Sequence, residues 1–299
     1  MYTVTKRRSY IKSDNELPEL PSFLLPQNDD GVKIIEGSSH TLFIKDEEPI
    51  LKEFVVNDDG EEFTAVREIC PKHKNYTLYI GEFSHDNNEL HKILYNLRNG
   101  TEFDQLHIRI DSPGGYVSEG ITLYNNMREL FNNRTITYLD STGFSMGAML
   151  FSLGDQRIAY EGSSLMYHNY SAIAYGKGQE LKSYVDFENK HFDEFFSKKI
   201  VSQGFLTTEE YEQMKIGKDF WFDSYEMAKR GICTHVIVSG FRLDTEAFIE
   251  YHDQDKPIDD WVIQKLTELT EDEDEDAAVV LEEVKKKPRA KAPKKKIAD

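Results

Sequence analysis

An α/β fold is predicted for the middle of this 299-residue chain on three observations. Short apolar runs of strand length alternate with amphipathic runs of helical length between residues 63 and 240. Two glycine-bearing turns, Asp111-Ser112-Pro113-Gly114-Gly115 and Gly143-Phe144-Ser145-Met146-Gly147, stand where a strand pattern gives way to a helix pattern. The two flanks lose this periodicity, so one core of about 150–220 residues with extensions fits the length.

The elements follow in order. Tyr76–Ile80 reads as a strand, His85–Arg98 as a helix and Leu106–Ile110 as a strand. After the first glycine turn a helix runs to about Phe131, and Thr135–Leu139 is the next strand. Ser145–Leu153 is a short apolar helix. Arg157–Tyr160 and Leu165–Tyr167 are strands. A long amphipathic helix covers Gln179–Val201. Thr207–Met214 is a helix opened by Thr207/Thr208 with Glu210 as a capping-box partner. Ser224–Arg230 is a helix stopped by Gly231, and Ile232–Val238 closes the series as a strand.

Residues 1–62 are polar and interrupted by Pro18, Pro21, Pro26 and Pro49. They read as a partly ordered N-terminal extension with strand-like runs at Thr41–Ile44 and Phe54–Val56. Residues 241–299 read as a mostly disordered tail. Glu271–Asp276 is unbroken acid and Lys285 to Lys296 is basic, and blocks of like charge cannot bury a core.

The formal net charge of −18 argues against nucleic-acid binding, which needs a basic footprint. No run of about 18 apolar residues predicts a membrane span, and no signal peptide is visible after Lys6, Arg7 and Arg8. Two cysteines, Cys70 and Cys233, suit a reducing compartment, so a cytoplasmic location is expected. No His/Cys cluster has zinc spacing and no Gly-Lys-Ser/Thr phosphate loop occurs, so neither metal nor other cofactor is expected.

Ser145 is the candidate nucleophile. Glycines on both sides permit a tight turn that lifts its hydroxyl clear, and the following helix directs free amides at the site. Gly114 and Gly115 free backbone amides at a strand end, as an oxyanion hole requires. His168, at the end of Leu165–Tyr167, is the candidate base. Asp219, before Phe220-Trp221-Phe222, is the candidate acid, and that aromatic cluster would exclude water. Asp223 remains an alternative, as acid or as helix N-cap. Two other arrangements stay open. Lys215 or Lys218 could serve as base in a Ser–Lys dyad, and His235 could serve in the Ser, acid, His order of an α/β-hydrolase.

Taken in order, Ser112-Pro113-Gly114-Gly115, Ser145-Met146-Gly147-Ala148, Met166-Tyr167-His168 and Asp219, with Glu226-Met227-Ala228-Lys229-Arg230-Gly231, resemble the proteolytic subunits of the Clp protease family. The resemblance covers about residues 63–240. It implies the crotonase-like ββα superhelix and a serine endopeptidase with Ser145, His168 and Asp219 as triad. It also implies Gly115 and Met146 amides as oxyanion hole, and homo-oligomeric rings (heptamer or double heptamer) that admit unfolded protein or peptide substrates. ATP dependence would then come from an AAA+ unfoldase. Gln179–Val201 resembles the handle helix, and Gly176-Lys177-Gly178-Gln179 the glycine-rich substrate strand, so Gly114, Gly176 and Gly178 become substrate-binding candidates. Asn169-Tyr170 and Lys218 depart from the family pattern. The flanking extensions resemble a phage-encoded or divergent member, for which a capsid-maturation protease in a virion or procapsid, or a silent ring subunit, is the alternative.

Overall fold

The computed structural model describes residues 32–58, 61–84, 87–254 and 256–271. The described residues up to Ile249 form one compact unit, and those from Glu250 belong to another. The basic run Lys285–Lys296 and most of the acidic run lie outside the described residues.

In chain order the elements are β1 (Lys33–Glu36), β2 (His40–Glu47), β3 (Ile50–Asp58), β4 (Glu61–Cys70), β5 (His73–Ile80), α1 (Asn87–Leu97), β6 (Gln105–Ser112) and α2 (Val117–Leu130). Then come β7 (Thr135–Phe144), α3 (Met146–Ser152), β8 (Gln156–Tyr160), β9 (Ser164–Tyr167) and α4 (Gly178–Lys199). α5 (Thr208–Lys215), β10 (Phe220–Asp223), α6 (Ser224–Lys229), β11 (His235–Val238), β12 (Phe241–Asp244) and α7 (Thr245–Asp253) complete the first unit, α7 leading into the second. There α8 (Ile258–Glu271) sets Trp261 edge-on to Tyr251, and Lys265 bonds Glu250 at 2.6 Å.

The main sheet runs β1-β2-β5-β6-β7-β8-β11-β12, with β9 and β10 branching from β7. Pairing is parallel from β5 to β11 and antiparallel at the edges. The α/β architecture is the one the periodicity predicts. Each central strand buries alternate residues: Leu78 and Ile80, Leu106, Ile108 and Ile110, Leu139 and Ile158 are under 3% exposed. Leu90, Ile93 and Leu97 of α1, Leu123 and Met127 of α2, and Leu150 and Phe151 of α3 are buried with them. On the sheet's half-exposed face Arg109 binds Asp140 through two bonds of 2.9 and 2.7 Å.

β7 changes partners midway. Ile136–Leu139 pair with β8, whereas Thr142–Phe144 pair with β9, after an irregularity beside Ile110. That change of partner brings β9 and β10 beside Ser145.

Within the N-terminal extension the strand-like runs at Thr41–Ile44 and Phe54–Val56 lie in β2 and β3; β1 and β2 join the main sheet, and β3 and β4 form a two-stranded hairpin. Alternating burial of His40 and Leu42 provides the reason for the first: β2 gains an apolar face by pairing with β5. Two sequence expectations need correction. Residues 241–271 are largely regular structure, since β12 pairs with β11 and buried Phe248 anchors α7. Gly176–Gly178 is not a strand. Gly178 opens α4, and the Glu180 carboxylate accepts the Lys177 amide at 3.2 Å, which starts a helix there.

Thr207 and Glu210 form the expected capping box on α5, and Glu210 also accepts two bonds from Arg230 at 2.8 and 2.9 Å. The Arg230 hydrogen bonds hold the Glu210 carboxyl below its ordinary range, against a smaller opposing effect of burial. A depressed carboxylate stabilises the fold above its unfolded pKa and loses that contribution as pH falls through the folded one. Urea stability is therefore expected to drop from about pH 5 to about pH 3, with a shallower drop in Glu210→Gln. Equal slopes in urea titrations of the two proteins would refute this.

Candidate active site

Ser145 stands alone between β7 and α3, with φ 55° and ψ −120°. A residue bearing a side chain adopts this conformation only when its surroundings hold it there. Its amide donates to the Met166 carbonyl at 2.9 Å, and its carbonyl accepts the Met149 amide at 3.1 Å. The serine is thus tied to β9 on one side and α3 on the other. Gly147 lets α3 approach β6, since a Cβ there would lie 2.9 Å from Ser112 Cβ.

The Gly114-Gly115 turn presses on the same spot. A Cβ on Gly114 would lie 2.6 Å from Ser145 Cβ and 3.1 Å from the Met146 nitrogen. Gly114 and Gly115 have φ of 100° and 130°. Ser112 Oγ donates to the Gly81 carbonyl at 2.5 Å and accepts the Gly114 amide at 3.1 Å. Phe83 donates to the Gly114 carbonyl at 2.8 Å and accepts the Tyr116 amide at 2.9 Å. These bonds use the amides on either side of Gly115 and not its own. The Met146 amide, first in α3, has no acceptor within its helix. Two donors suited to an oxyanion therefore flank Ser145.

β9 and β10 supply the other groups. Phe144 pairs with Met166, and Met166 with Trp221, so these three form one row across three strands. The Phe144 and Trp221 rings meet edge-on at 5.1 Å. Phe220 pairs with Tyr167; continuing that antiparallel register by one residue sets Asp219 opposite His168. Strand alternation puts both on the face of Met166 and Trp221, one row further on. Among the described residues no side-chain hydrogen bond joins Ser145, His168 and Asp219. Such bonds often tighten only when substrate arrives.

The structure separates the two candidate acids. Asp223 lies four residues along β10, about 13 Å from Asp219. It caps α6 by accepting the Glu226 amide at 2.8 Å. The expected water-excluding aromatic cluster also divides. Phe220 and Phe222 are buried, Phe222 against Tyr167, while Trp221 is 58% exposed on the Ser145 side. β10 is not legible in the sequence, because Phe220-Trp221-Phe222 is apolar throughout; only its pairing with β9 makes it a strand with alternating burial.

The other arrangements fit poorly. Lys215 bonds Glu212 at 2.7 Å, which raises its pKa, whereas a base lysine needs a lowered one. Lys218 donates to Gln213 at 2.8 Å and lies over the Phe220 ring. His235 pairs with Ile158, itself opposite Tyr138, seven residues before Ser145 and on the order of 20 Å of strand away. Cys233 is a free thiol whose pKa burial pushes up to about 12, unsuited to nucleophilic attack. Gly176 lies in the segment between β9 and α4, and Gly178 in the first turn of α4.

Among the described residues no helix is long and apolar enough to cross a membrane, and no three His, Cys, Asp or Glu side chains are grouped to hold a metal. The family model for Clp protease matches residues 74–240, more than half of the chain. The chain is 28% identical over 136 residues to the ATP-dependent Clp protease proteolytic subunit 1 of Streptomyces avermitilis, a match covering 45% of this chain and 61% of that protein. It is 26% identical over 153 residues to the ATP-dependent Clp protease proteolytic subunit of Cyanophora paradoxa, covering 50% and 75%. For the subunit of that name from Pleurastrum terricola the identity is 31% over 97 residues, covering 31% and 48%. The chain thus spans about three fifths of the length of the Streptomyces relatives.

Proposed function

This chain belongs to the Clp protease family, and from that membership we propose that it is a serine endopeptidase acting through Ser145, His168 and Asp219. The observation that carries the reading is the convergence of the Gly114-Gly115 turn and the β9–β10 ladder on one strained serine.

Ser145 Oγ attacks the peptide carbonyl as His168 takes its proton. The carbonyl oxygen gains negative charge and is stabilised by the Gly115 and Met146 amides, each worth roughly 3 kcal/mol of barrier. His168 returns the proton to the leaving amine, and water repeats the cycle on the acyl-enzyme. Asp219 orients the imidazole and stabilises its charged form. Gly114, and Gly176 and Gly178 at the entry to α4, line the approach of the substrate backbone.

The substrates are unfolded proteins or peptides entering a homo-oligomeric ring in the cytoplasm, supplied by an AAA+ unfoldase that uses ATP. α4 supports the oligomeric reading, since Tyr184, Val185 and Phe187 are 44%, 43% and 62% exposed on it.

Mass-spectrometric mapping of a fluorophosphonate adduct, alongside a native mass, tests both chemistry and assembly. An adduct on Ser145 in a ring-sized particle is expected. A ring without an adduct would instead select a catalytically silent subunit, a reading favoured by the unjoined side chains of Ser145, His168 and Asp219.

The two acids give a sharper contrast. Asp219→Asn is expected to lower kcat by about 10²–10⁴-fold with thermal stability unchanged. Asp223→Ala is expected to cost about 1 kcal/mol of stability and leave kcat intact, as loss of a helix cap does. Steady-state kinetics with thermal melts on both variants would expose a reversed assignment.

A further inference from the structure

We propose that Phe83 is a positioning residue for the oxyanion hole, and that the β1–β2 hairpin, upstream of the region matched to the family, holds it in place. The inference rests on the peptidase reading above.

Phe83 is the hinge point of a strap, Gly81-Glu82-Phe83, running from the end of β5 to the Gly114-Gly115 turn. At the turn its backbone makes an isolated parallel bridge to Gly115, through its amide to the Gly114 carbonyl and its carbonyl from the Tyr116 amide. The fit is close: a Cβ on Gly115 would fall 2.2 Å from the Phe83 carbonyl oxygen. Where Phe83 sits therefore determines where the Gly115 amide points, since the peptides on both sides of it are bonded to this one residue. At its other end the strap is clamped twice, by the Gly81 amide to the Ser39 carbonyl at 2.9 Å and by Ser112 Oγ to the Gly81 carbonyl.

The Phe83 ring is fully buried and lies 5.5 Å from the His40 ring, which is itself 4% exposed. His40 begins β2, and its backbone is held from α1. The Glu89 carboxylate accepts the Ser38 amide at 3.0 Å, Ser38 Oγ at 2.8 Å, the Ser39 amide at 3.0 Å and the His40 amide. Four donors on one carboxylate fix the hairpin tip, the tip fixes His40, and His40 backs the Phe83 ring. The hairpin thus reaches the oxyanion site through contiguous contacts.

A hole donor acts mainly on the transition state, so misplacing it lowers kcat more than it raises KM. The test uses the full chain and its Phe83→Leu and Glu89→Gln variants. kcat and KM are measured on a short fluorogenic peptide, with inhibition by a peptide boronic acid and by the product peptide. The boronate forms a tetrahedral adduct that needs the hole; the product does not. In Phe83→Leu, kcat is expected to fall about tenfold with KM within twofold, and boronate affinity to fall by the same factor with product affinity unchanged. Glu89→Gln, which leaves the buried ring intact, is expected to shift the same two readouts in the same direction by about threefold. Equal weakening of boronate and product, or unchanged kcat in a folded Glu89→Gln protein, overturns the inference. A wild-type chain that neither cleaves the peptide nor accepts a fluorophosphonate on Ser145 overturns the proposed function, and the inference with it.

Discussion

Ser145→Ala is expected to reduce peptide hydrolysis by about five to six orders of magnitude while leaving the protein folded. The proposed nucleophile sits at the junction of β7 and α3, and the buried Cys233 thiol, its pKa pushed up by burial, lies far along the sheet from it and cannot replace it. Alanine keeps the Cβ and so keeps the strain of φ 55°, ψ −120°. Ser145→Gly removes both hydroxyl and strain. It is expected to be as inactive as the alanine variant yet more stable by about 1 kcal/mol, relief of local strain outweighing the greater freedom of the unfolded glycine. Denaturant melts of the three proteins, beside their kcat values, give the comparison. An alanine variant retaining a tenth of wild-type activity would remove Ser145 from the mechanism. A glycine variant less stable than wild type would mean that the strain is not stored where the backbone angles place it.

Gly115→Ala is expected to lose about 10²–10³-fold in kcat and about 1–3 kcal/mol of stability. Two causes act together. The φ of 130° is one that L side chains rarely adopt, and the new methyl would lie 2.2 Å from the Phe83 oxygen and 2.8 Å from its carbonyl carbon. Those atoms belong to backbone bonded to Gly114 and Tyr116, so they cannot swing aside as a side chain would. The turn has to move, and the Gly115 amide, the proposed oxyanion donor, moves with it. Gly162→Ala is the matched control, because a Cβ there meets nothing within 4 Å, and it is expected to be silent. A Gly115→Ala protein with wild-type kcat would show that this amide is not a hole donor.

Much of the candidate site was legible because it is local. The glycines around Ser145, the turn after Ile110 and the strand before His168 all carry their reasons within a few residues. The acid was not local in this sense. Asp219 and Asp223 both precede plausible structure; the β9–β10 register, continued by one residue, sets Asp219 opposite His168, while Asp223 caps α6. Phe83 gave no signal, since a lone phenylalanine after a strand reads as core. The glycines Gly176 and Gly178 misled, because a Glu180 cap turned an expected strand into a helix start.

By itself the sequence determined the alternation of strands and helices, the glycine turn around Ser145 and the likeness to Clp proteolytic subunits, because hydrophobic period and glycine placement act over short stretches. Only the tertiary structure shows that the β9–β10 register, continued by one residue, sets Asp219 opposite His168, that the Gly114-Gly115 turn presses on Ser145, and that an upstream hairpin reaches that turn through Phe83. These depend on register and on contacts between segments far apart in the chain, and a one-residue slip in β10 would turn every side chain on it to the opposite face.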